Sequence, residues 1–403
     1  MTVSQAFPSH VPPELVMEFP LTTRTLNYEN PFNTLVPELH KGPSIFWSTN
    51  AFPGPTGGWV IRRQEDLKSL YEHTAEFVKR GNTGFSALIG EDWDIVPSEL
   101  DAPKHTAFRR ALEPVFSPKR MAELESKVLN RASDLIAKFK DKGEVEFIKA
   151  FATPFPCTIV LDLLGLPQDR LDEFLDWEYG LIHKESLEER KQAVMSVRNC
   201  LWEEIEKREK NPTDDLISNA LNLEADGRKW TRDEVFGHCF NLFIGGLDTV
   251  TANLGLHFTH LATHLDDQRE LREDPQKIDL AIPELMRAYA AVTTARVCAK
   301  DFTLHGVTIK AGDLVAMSTP LGSNDPEVYD APELVKIDRR PLHLSFGHGI
   351  HRCLGAHLAR RELKVAMTEM LQQLPEFRLK PGTKVGYYMS NVIHVDKLPL
   401  VWS

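Results

Sequence analysis

The residues best suited to chemistry in this chain stand together near its carboxyl end, in Phe346-Gly347-His348-Gly349-Ile350-His351-Arg352-Cys353-Leu354-Gly355. One cysteine sits on a glycine-rich loop leading into a helical pattern over about Leu354–Gln373. A thiolate so placed suits an iron that needs a single strongly donating axial ligand. Glycines at 347, 349 and 355 let backbone approach a flat macrocycle and tolerate dihedrals that other residues resist. The free amides and positive dipole end of the next helix favour negative charge, so the sulfur is expected to stay deprotonated. The ordinary alternative, a buried structural cysteine beside a turn, fits these glycines poorly. Zinc is a further alternative, with His348, His351 and Cys353 as donors, but no second cysteine-rich cluster completes a tetrahedral set.

A second group lies in Gly245-Gly246-Leu247-Asp248-Thr249. It falls within a helix expected to start at the capping box Thr231–Glu234 and to run to about His264, apolar on several faces. Two adjacent interior glycines cost about 1 kcal/mol each relative to alanine, which implies a helix opened to admit something. Asp248 and Thr249 place an acid beside an alcohol; in isolation such a pair back-bonds to a helix carbonyl. A third group, Glu284-Leu285-Met286-Arg287, puts an acid and a base three apart on a helix starting near Pro283. Most pairs with that spacing are surface ion pairs.

Together, the Phe-Gly-x-Gly-x-His-x-Cys-x-Gly loop, the Gly-Gly-x-Asp-Thr segment and the Glu-x-x-Arg pair resemble the cytochrome P-450 family, the haem-thiolate monooxygenases. The resemblance implies a mainly α, triangular cytochrome P-450 fold with small β-sheets. It also implies haem b (iron protoporphyrin IX), with Cys353 as the axial thiolate that pushes electron density toward O–O cleavage. In that reading dioxygen enters beside Gly245, Thr249 holds the hydrogen-bond network of its outer oxygen, and Asp248 relays protons from solvent. Glu284 and Arg287 become a structural brace behind the haem. The haem carboxylates fall to His105 and Arg109, four apart on one helix face, and to Arg296 and His351. Phe346 and Gly347 lie against the cofactor.

The likeness spans nearly the whole chain, from Pro97–Arg109 to Leu398–Trp402, and is nearest the soluble bacterial class and its camphor-hydroxylating members. It implies hydroxylation of an unactivated C–H bond of a compact cyclic monoterpenoid, camphor- or cineole-like. Oxygen and two electrons from NAD(P)H are consumed, the electrons arriving through a [2Fe–2S] ferredoxin and its reductase. Two departures bear on substrate. Trp93 stands where camphor-hydroxylating members carry a tyrosine donor, and Asn241 replaces a leucine one turn before Gly245. Asn241 is expected to donate to a substrate ether or carbonyl. Phe85, Ile244, Gly245, Val292 and Thr294 complete the pocket by family register. Other small hydrophobic substrates (a norisoprenoid, an aromatic, a fatty acid), a peroxide-driven enzyme and a non-catalytic haem sensor are the rival readings. The chain carries no Gly-x-Gly-x-x-Gly fingerprint or iron–sulfur cysteine cluster, so its reductase must be separate. Arg109, Arg110, Lys119, Arg352, Arg360 and Arg361 are expected to gather behind the cysteine and receive an acidic ferredoxin.

The elements that must position these residues are mostly helical between about Met121 and Gln373, and prolines at 97, 103, 114, 118, 154, 156, 167 and 212 punctuate the helices. Extended segments are expected at Ser44–Trp47, Gly58–Arg62, Phe302–Ile309, Asp313–Met317 and Val392–Val401, and no repeat or linker divides the 403 residues, giving one domain over 1–403. Hydrophobic residues at 42% and charged ones at 26% are ordinary globular values. A net charge of −11 disfavours nucleic acid and acidic membrane surfaces. Five scattered cysteines suggest a reducing compartment, and neither Met1–Val16 nor any later stretch reads as a signal or a membrane anchor. A soluble, cytoplasmic monomer is expected, with glycines in the Gly81–Asp94 loop permitting movement.

Overall fold

The computed structural model describes residues 7–52, 56–79, 84–184 and 186–403. Residues 81–83 of the Gly81–Asp94 loop and the first six of Met1–Val16 lie outside them. Eight helices frame the site: α1 (Gln64–Glu72), α2 (Lys104–Leu112), α3 (Pro154–Leu164), α4 (Leu171–Ile182), α5 (Leu187–Lys210), α6 (Arg232–Thr263), α7 (Ile278–Ala288) and α8 (Ala356–Gln373). The axis is α6, whose 32 residues span about 48 Å at 1.5 Å per residue. Its start is the capping box read from sequence: Glu234 N–H donates to Thr231 Oγ1 at 3.2 Å, and Thr231 N–H donates to the Glu234 carboxylate at 2.8 Å. Because α6 is apolar on several faces, it buries nearly all round, with α3, α4, α5 and α8 packed against it.

A five-stranded sheet flanks the helices. Its strands are β1 (Ile45–Phe52), β2 (Thr56–Ile61), β3 (Phe77–Val78), β4 (Thr293–Cys298) and β5 (Leu314–Ser318). They lie in the order β1-β2-β5-β4-β3, with β5 parallel to β2 and the other pairs antiparallel. Alternation along β4 puts Val292, Thr294 and Arg296 on one face. The β3–β4 register, Phe77↔Cys298 and Val78↔Val297, carries the following Lys79 to the level of Arg296. A short hairpin, β6 (Tyr387–Met389) with β7 (His394–Val395), closes against α6. Of the extended segments expected, Val392–Val401 is strand only at His394–Val395 and Pro399–Val401.

Within α7, Glu284 and Arg287 are fully buried and joined by two 2.9 Å hydrogen bonds. Arg339 adds a third charge at 3.0 Å from Glu284. Arg287 also donates to Asn324 Oδ1 and to the backbone carbonyls of Pro332 and Leu334. The pair thus fastens α7 to the irregular chain that leads to the cysteine loop. Among the described residues no helix is long and apolar enough to cross a membrane.

Candidate active site

Cys353 is held by its loop: its N–H donates to Phe346 O at 2.8 Å, and the loop turns through Gly347 and Gly349 at φ +68° and +67°. Positive φ favours glycine at both positions. At 349 a side chain would also strike Tyr71 O, 2.8 Å from the Cβ position. Gly355 differs from expectation. Its φ is −80°, open to any residue, and what it supplies is its N–H, donated to the sulfur. The helix begins at Ala356. Burial pushes the Cys353 thiol up, against that N–H and the nearby Arg109, Arg352 and Arg360. A metal cation bound at the sulfur would add to these contacts in favour of the thiolate. Zinc is not served, because His348 donates to Glu72 at 2.8 Å and His351 packs on His105, leaving Cys353 no histidine co-ligand.

The sulfur faces a cavity of two adjoining lobes, about 200 and 300 Å³, which share Gly245, Gly246, His351, Cys353 and Gly355 in their walls. Cations line it. Arg296, 4% exposed, lies over the Tyr71 ring and hydrogen-bonds only Ala295 O among the described residues. Lys79 beside it is pulled down to about 7, by burial first and then by Arg296. Arg109 donates to Arg352 O at 2.7 Å. The His105 and His351 rings lie 4.2 Å apart, tilted at 51°, and both His105 nitrogens are buried without a partner. Burial, then Arg109, brings His105 to about 4, and burial, then Arg296, lowers His351, so both are neutral imidazoles near pH 7. Buried cations and orphaned ring nitrogens around one cavity fit a flat group carrying carboxylates, with a thiolate donor beneath it. Haem matches that chemistry.

On the other wall, α6 runs unbroken through the glycine pair, so the expected opening of the helix does not occur. The two glycines instead answer two different neighbours. A Cβ on Gly245 would meet nothing within 4 Å and would project into the cavity, whereas one on Gly246 would fall 2.6 Å from Val160 Cγ2 of α3. Thr249 lines the larger lobe, and its hydroxyl donates to Gly245 O at 3.2 Å. Asp248 does not line it. Its carboxylate is buried on the far side, 3.6 Å from His183 Nε2.

The profile of the family described as Cytochrome P450 matches residues 169–393. The probable cytochrome P450 127A1 of Sinorhizobium fredii is 35% identical over 402 residues, covering 98% of this chain and 97% of that one. The chain belongs to the cytochrome P450 family. The crystal structure of cytochrome P450 CYP101C1 matches with a TM-score of 0.89 at 34% identity, over 99% of this chain and 100% of that one. CYP101J2 matches at 0.88 and 30%, over 99% of each. The vitamin D(3) 25-hydroxylase of Pseudonocardia autotrophica is 32% identical over 73% of this chain and 74% of that protein. Membership makes this a haem monooxygenase carrying haem b on a cysteine thiolate.

The substrate side of this P450 departs from the sequence reading at several residues. Trp93 gives its indole N–H to Glu91 at 2.9 Å, Glu91 is clamped by Arg198 at 2.8 Å, and the ring packs on Phe236 and Phe240. It is buried, borders neither lobe and has no donor to spare. Phe85 packs on Phe240, and neither it nor Ile244 borders the two lobes. Val292 and Thr294 do border the larger one, through the β4 alternation. Asn241 lines the smaller, and its Oδ1 accepts from Ser98 Oγ at 2.9 Å. That bond fixes the amide so that its NH₂ remains the donor.

Among the cavity-wall residues that escaped the sequence reading, two carry ionisable groups that bear on the site, Lys79 and Glu362. Lys79 carries no motif and arrives only through strand register. Glu362, 2% exposed with Oε1 unpartnered, borders the larger lobe, and burial raises its carboxyl well above the usual range. An acid four residues from Leu358 and from Ala366, on the apolar stripe of α8, was the available signal.

Proposed function

We propose that this cytochrome P450 hydroxylates an unactivated C–H bond of a compact cyclic monoterpenoid bearing an ether or carbonyl oxygen, camphor- or cineole-like. The balance is RH + O₂ + 2e⁻ + 2H⁺ → ROH + H₂O, the electrons coming from NAD(P)H through a [2Fe–2S] ferredoxin and its reductase. The observation that carries the substrate class is Asn241. A single amide, tethered by Ser98, offers its NH₂ to a cavity otherwise bordered nearby by Val160, Leu163, Leu164 and Leu242. One donor in an apolar wall selects a ligand with one acceptor oxygen.

Cys353 would hold the iron, and Arg109, Arg296, Lys79, His105 and His351 would hold the carboxylates. The haem, when bound, supplies oxygen activation. The chain supplies position and protons. Gly245 leaves room in the cavity wall, and Asn241 would fix how the substrate lies within it. Thr249 gives its own hydrogen to Gly245 O, so its oxygen is free to accept a hydrogen bond from the cavity and keep protons in line. Asp248 passes protons across α6 from the His183 side. Arg109, Arg352 and Arg360 gather around Cys353 and give an acidic ferredoxin a local positive face on a chain of net charge −11. Arg361, expected there too, is engaged by Glu125. A single domain over 1–403 acting as a monomer belongs to the same reading.

Titrating the ferric protein with cyclic monoterpenoids, linear fatty acids and small aromatics, and following the haem spin state, tests the substrate class. A saturating shift with camphor- or cineole-like ligands supports it, and a response confined to fatty acids or aromatics overturns it. Thr249→Ala is expected to divert reductant from product to peroxide or water. A peroxide-driven enzyme or a haem sensor would show no such loss. Reduction by the ferredoxin is expected to slow as salt rises.

A further inference from the structure

Behind Asp248, away from the cavity, lies a cluster the mechanism above uses only in part. Glu178 and His183 project from α4 and its carboxyl end toward α6, and ligating atoms of Glu178, His183 and Asp248 lie within 4.8 Å of one another. It is the sole such grouping of three His, Cys, Asp or Glu side chains among the described residues. Both acids are more than nine-tenths buried, at 8% and 7% exposure. Each keeps one oxygen, Glu178 Oε1 and Asp248 Oδ2, with no hydrogen-bond partner. No lysine or arginine forms an ion pair with either acid among the described residues. The one basic contact is His183 Nε2, 3.6 Å from Asp248 Oδ1.

Two buried carboxylates this close cannot both stay ionised against a single imidazole, so the cluster must hold at least one proton or another cation. We propose that Glu178 and Asp248 share a proton, which His183 replenishes from outside, and that this store feeds the Thr249 end of the cavity. The inference rests on the proton-delivery reading of Asp248 given above. In each passage the Glu178 carboxyl gives its proton to Asp248, and Asp248 gives one to the hydrogen-bond chain at Thr249. His183 takes a proton from water at Nδ1 as it gives up Nε2–H, which restores the loss and leaves the ring neutral. One proton crosses and no electrons move.

The groups facing the cluster are consistent with this. From α4 come Tyr179 and His183, with ring centroids 5.0 Å apart. From β6 and β7 come Tyr388 and His394, 6.3 and 4.9 Å from the His183 ring. From α3 comes Cys157, whose thiol is raised by burial and then by Glu178, Asp248 and Glu362. Burial, then Asp248, raises Glu178 well above the carboxylate range. Burial would raise Asp248 too, but His183, with His394 behind it, brings it below that range. The two acids are thus pushed apart, Glu178 toward the protonated form and Asp248 toward the ionised one, the arrangement that lets a proton pass between them. Glu178 and His183 touch neither substrate nor cofactor and act through Asp248, as positioning residues.

The test uses the haem-loaded enzyme with its reductase and ferredoxin, and Glu178→Gln. Gln keeps shape and cannot titrate. Product formed per reductant consumed is expected to fall about fivefold. In the wild type that ratio declines as pH rises and the store empties, whereas in Glu178→Gln its pH dependence flattens. The infrared spectrum of the wild type should contain a carboxylic-acid carbonyl band that shifts in D₂O and is missing from Glu178→Gln; this readout needs no turnover and no change in fold. Unchanged coupling and an unchanged pH profile in Glu178→Gln, with Thr249→Ala still uncoupled, would overturn this inference alone. A coupled Thr249→Ala would overturn the delivery reading itself. Stoichiometric zinc in the purified protein, lost in Glu178→Gln, would show that the cluster holds a metal in place of the proton.

Discussion

Gly245 and Gly246 are neighbours in sequence with opposite reasons for lacking a side chain, and a substitution pair separates them. Alanine in a helix interior is favoured over glycine by about 1 kcal/mol. At 245 nothing lies within 4 Å of the new Cβ, so Gly245→Ala should collect that gain in full. The methyl then protrudes into both lobes, and the spin-state titration should show weaker ligand binding. At 246 the new Cβ lies 2.6 Å from Val160 Cγ2 and 3.5 Å from Cγ1 on a buried residue of α3. Overpacking of that kind costs about 1–3 kcal/mol, which leaves a net loss of about 0–2 kcal/mol after the helix gain. Val160→Ala removes the obstructing methyls, and the added Cβ of Gly246→Ala takes up part of the space. The two should therefore couple favourably by about 1 kcal/mol or more. Urea midpoints of the haem-loaded protein, measured for both singles and the double, give each quantity. If Gly246→Ala stabilises as much as Gly245→Ala, or if the cycle is additive within about 0.5 kcal/mol, close approach to α3 is not why position 246 is glycine.

Breaking the buried ion pair of α7 by Glu284→Ala or Arg287→Ala should cost about 3–5 kcal/mol, read as lost folded yield or lowered urea midpoint, and Arg287→Lys should not restore it because one ammonium cannot span the guanidinium's contacts. Asn241→Ala should weaken binding of a cyclic ether or ketone by about 1 kcal/mol, roughly fivefold in Kd, and leave the parent hydrocarbon unchanged; equal loss for both would refute the hydrogen bond. Burial holds Lys79 down at about 7 in the folded protein, against about 10.5 for an ordinary lysine in the unfolded chain, so the unfolded chain binds more protons between those limits, and haem-free stability should rise with pH from about 7 to about 10.5. Lys79→Met should remove that portion of the slope and weaken haem retention, measured by urea midpoints across pH and by haem transfer to an acceptor protein.

What could be read before the fold was known was local or strongly patterned. The capping box at Thr231, the length of α6 and the Glu284–Arg287 pair depend on residues a few positions apart and form as read, although α7 starts at Ile278 rather than near Pro283 and Gly355 of the thiolate loop has an ordinary φ. The misreadings share one cause, a partner distant in sequence. Trp93 lost its expected role because Arg198, on α5, holds Glu91 where it captures the indole N–H. Lys79 reached the cavity because β3 pairs with β4, which no local pattern announces. The glycine pair was recognised as unusual, but the reason at 246 is a valine on another helix. Asp248 was recognised as an acid beside Thr249. That it faces Glu178 and His183 follows from how α4 crosses α6.

The brace at α7 grips the chain ahead of Cys353 largely by main-chain oxygens: Arg287 takes those of Pro332 and Leu334, and Arg339 takes those of Asp330, Ala331 and Leu334. A carbonyl oxygen is the same whatever side chain it carries, so this grip is indifferent to spelling. The outward letters of the stretch, such as Val328, Leu334 and Leu342, all exposed, are free to drift or to be rewritten without moving the sulfur. Libraries aimed at this stretch can therefore re-address the surface ahead of the cysteine loop while the catalytic centre keeps its geometry.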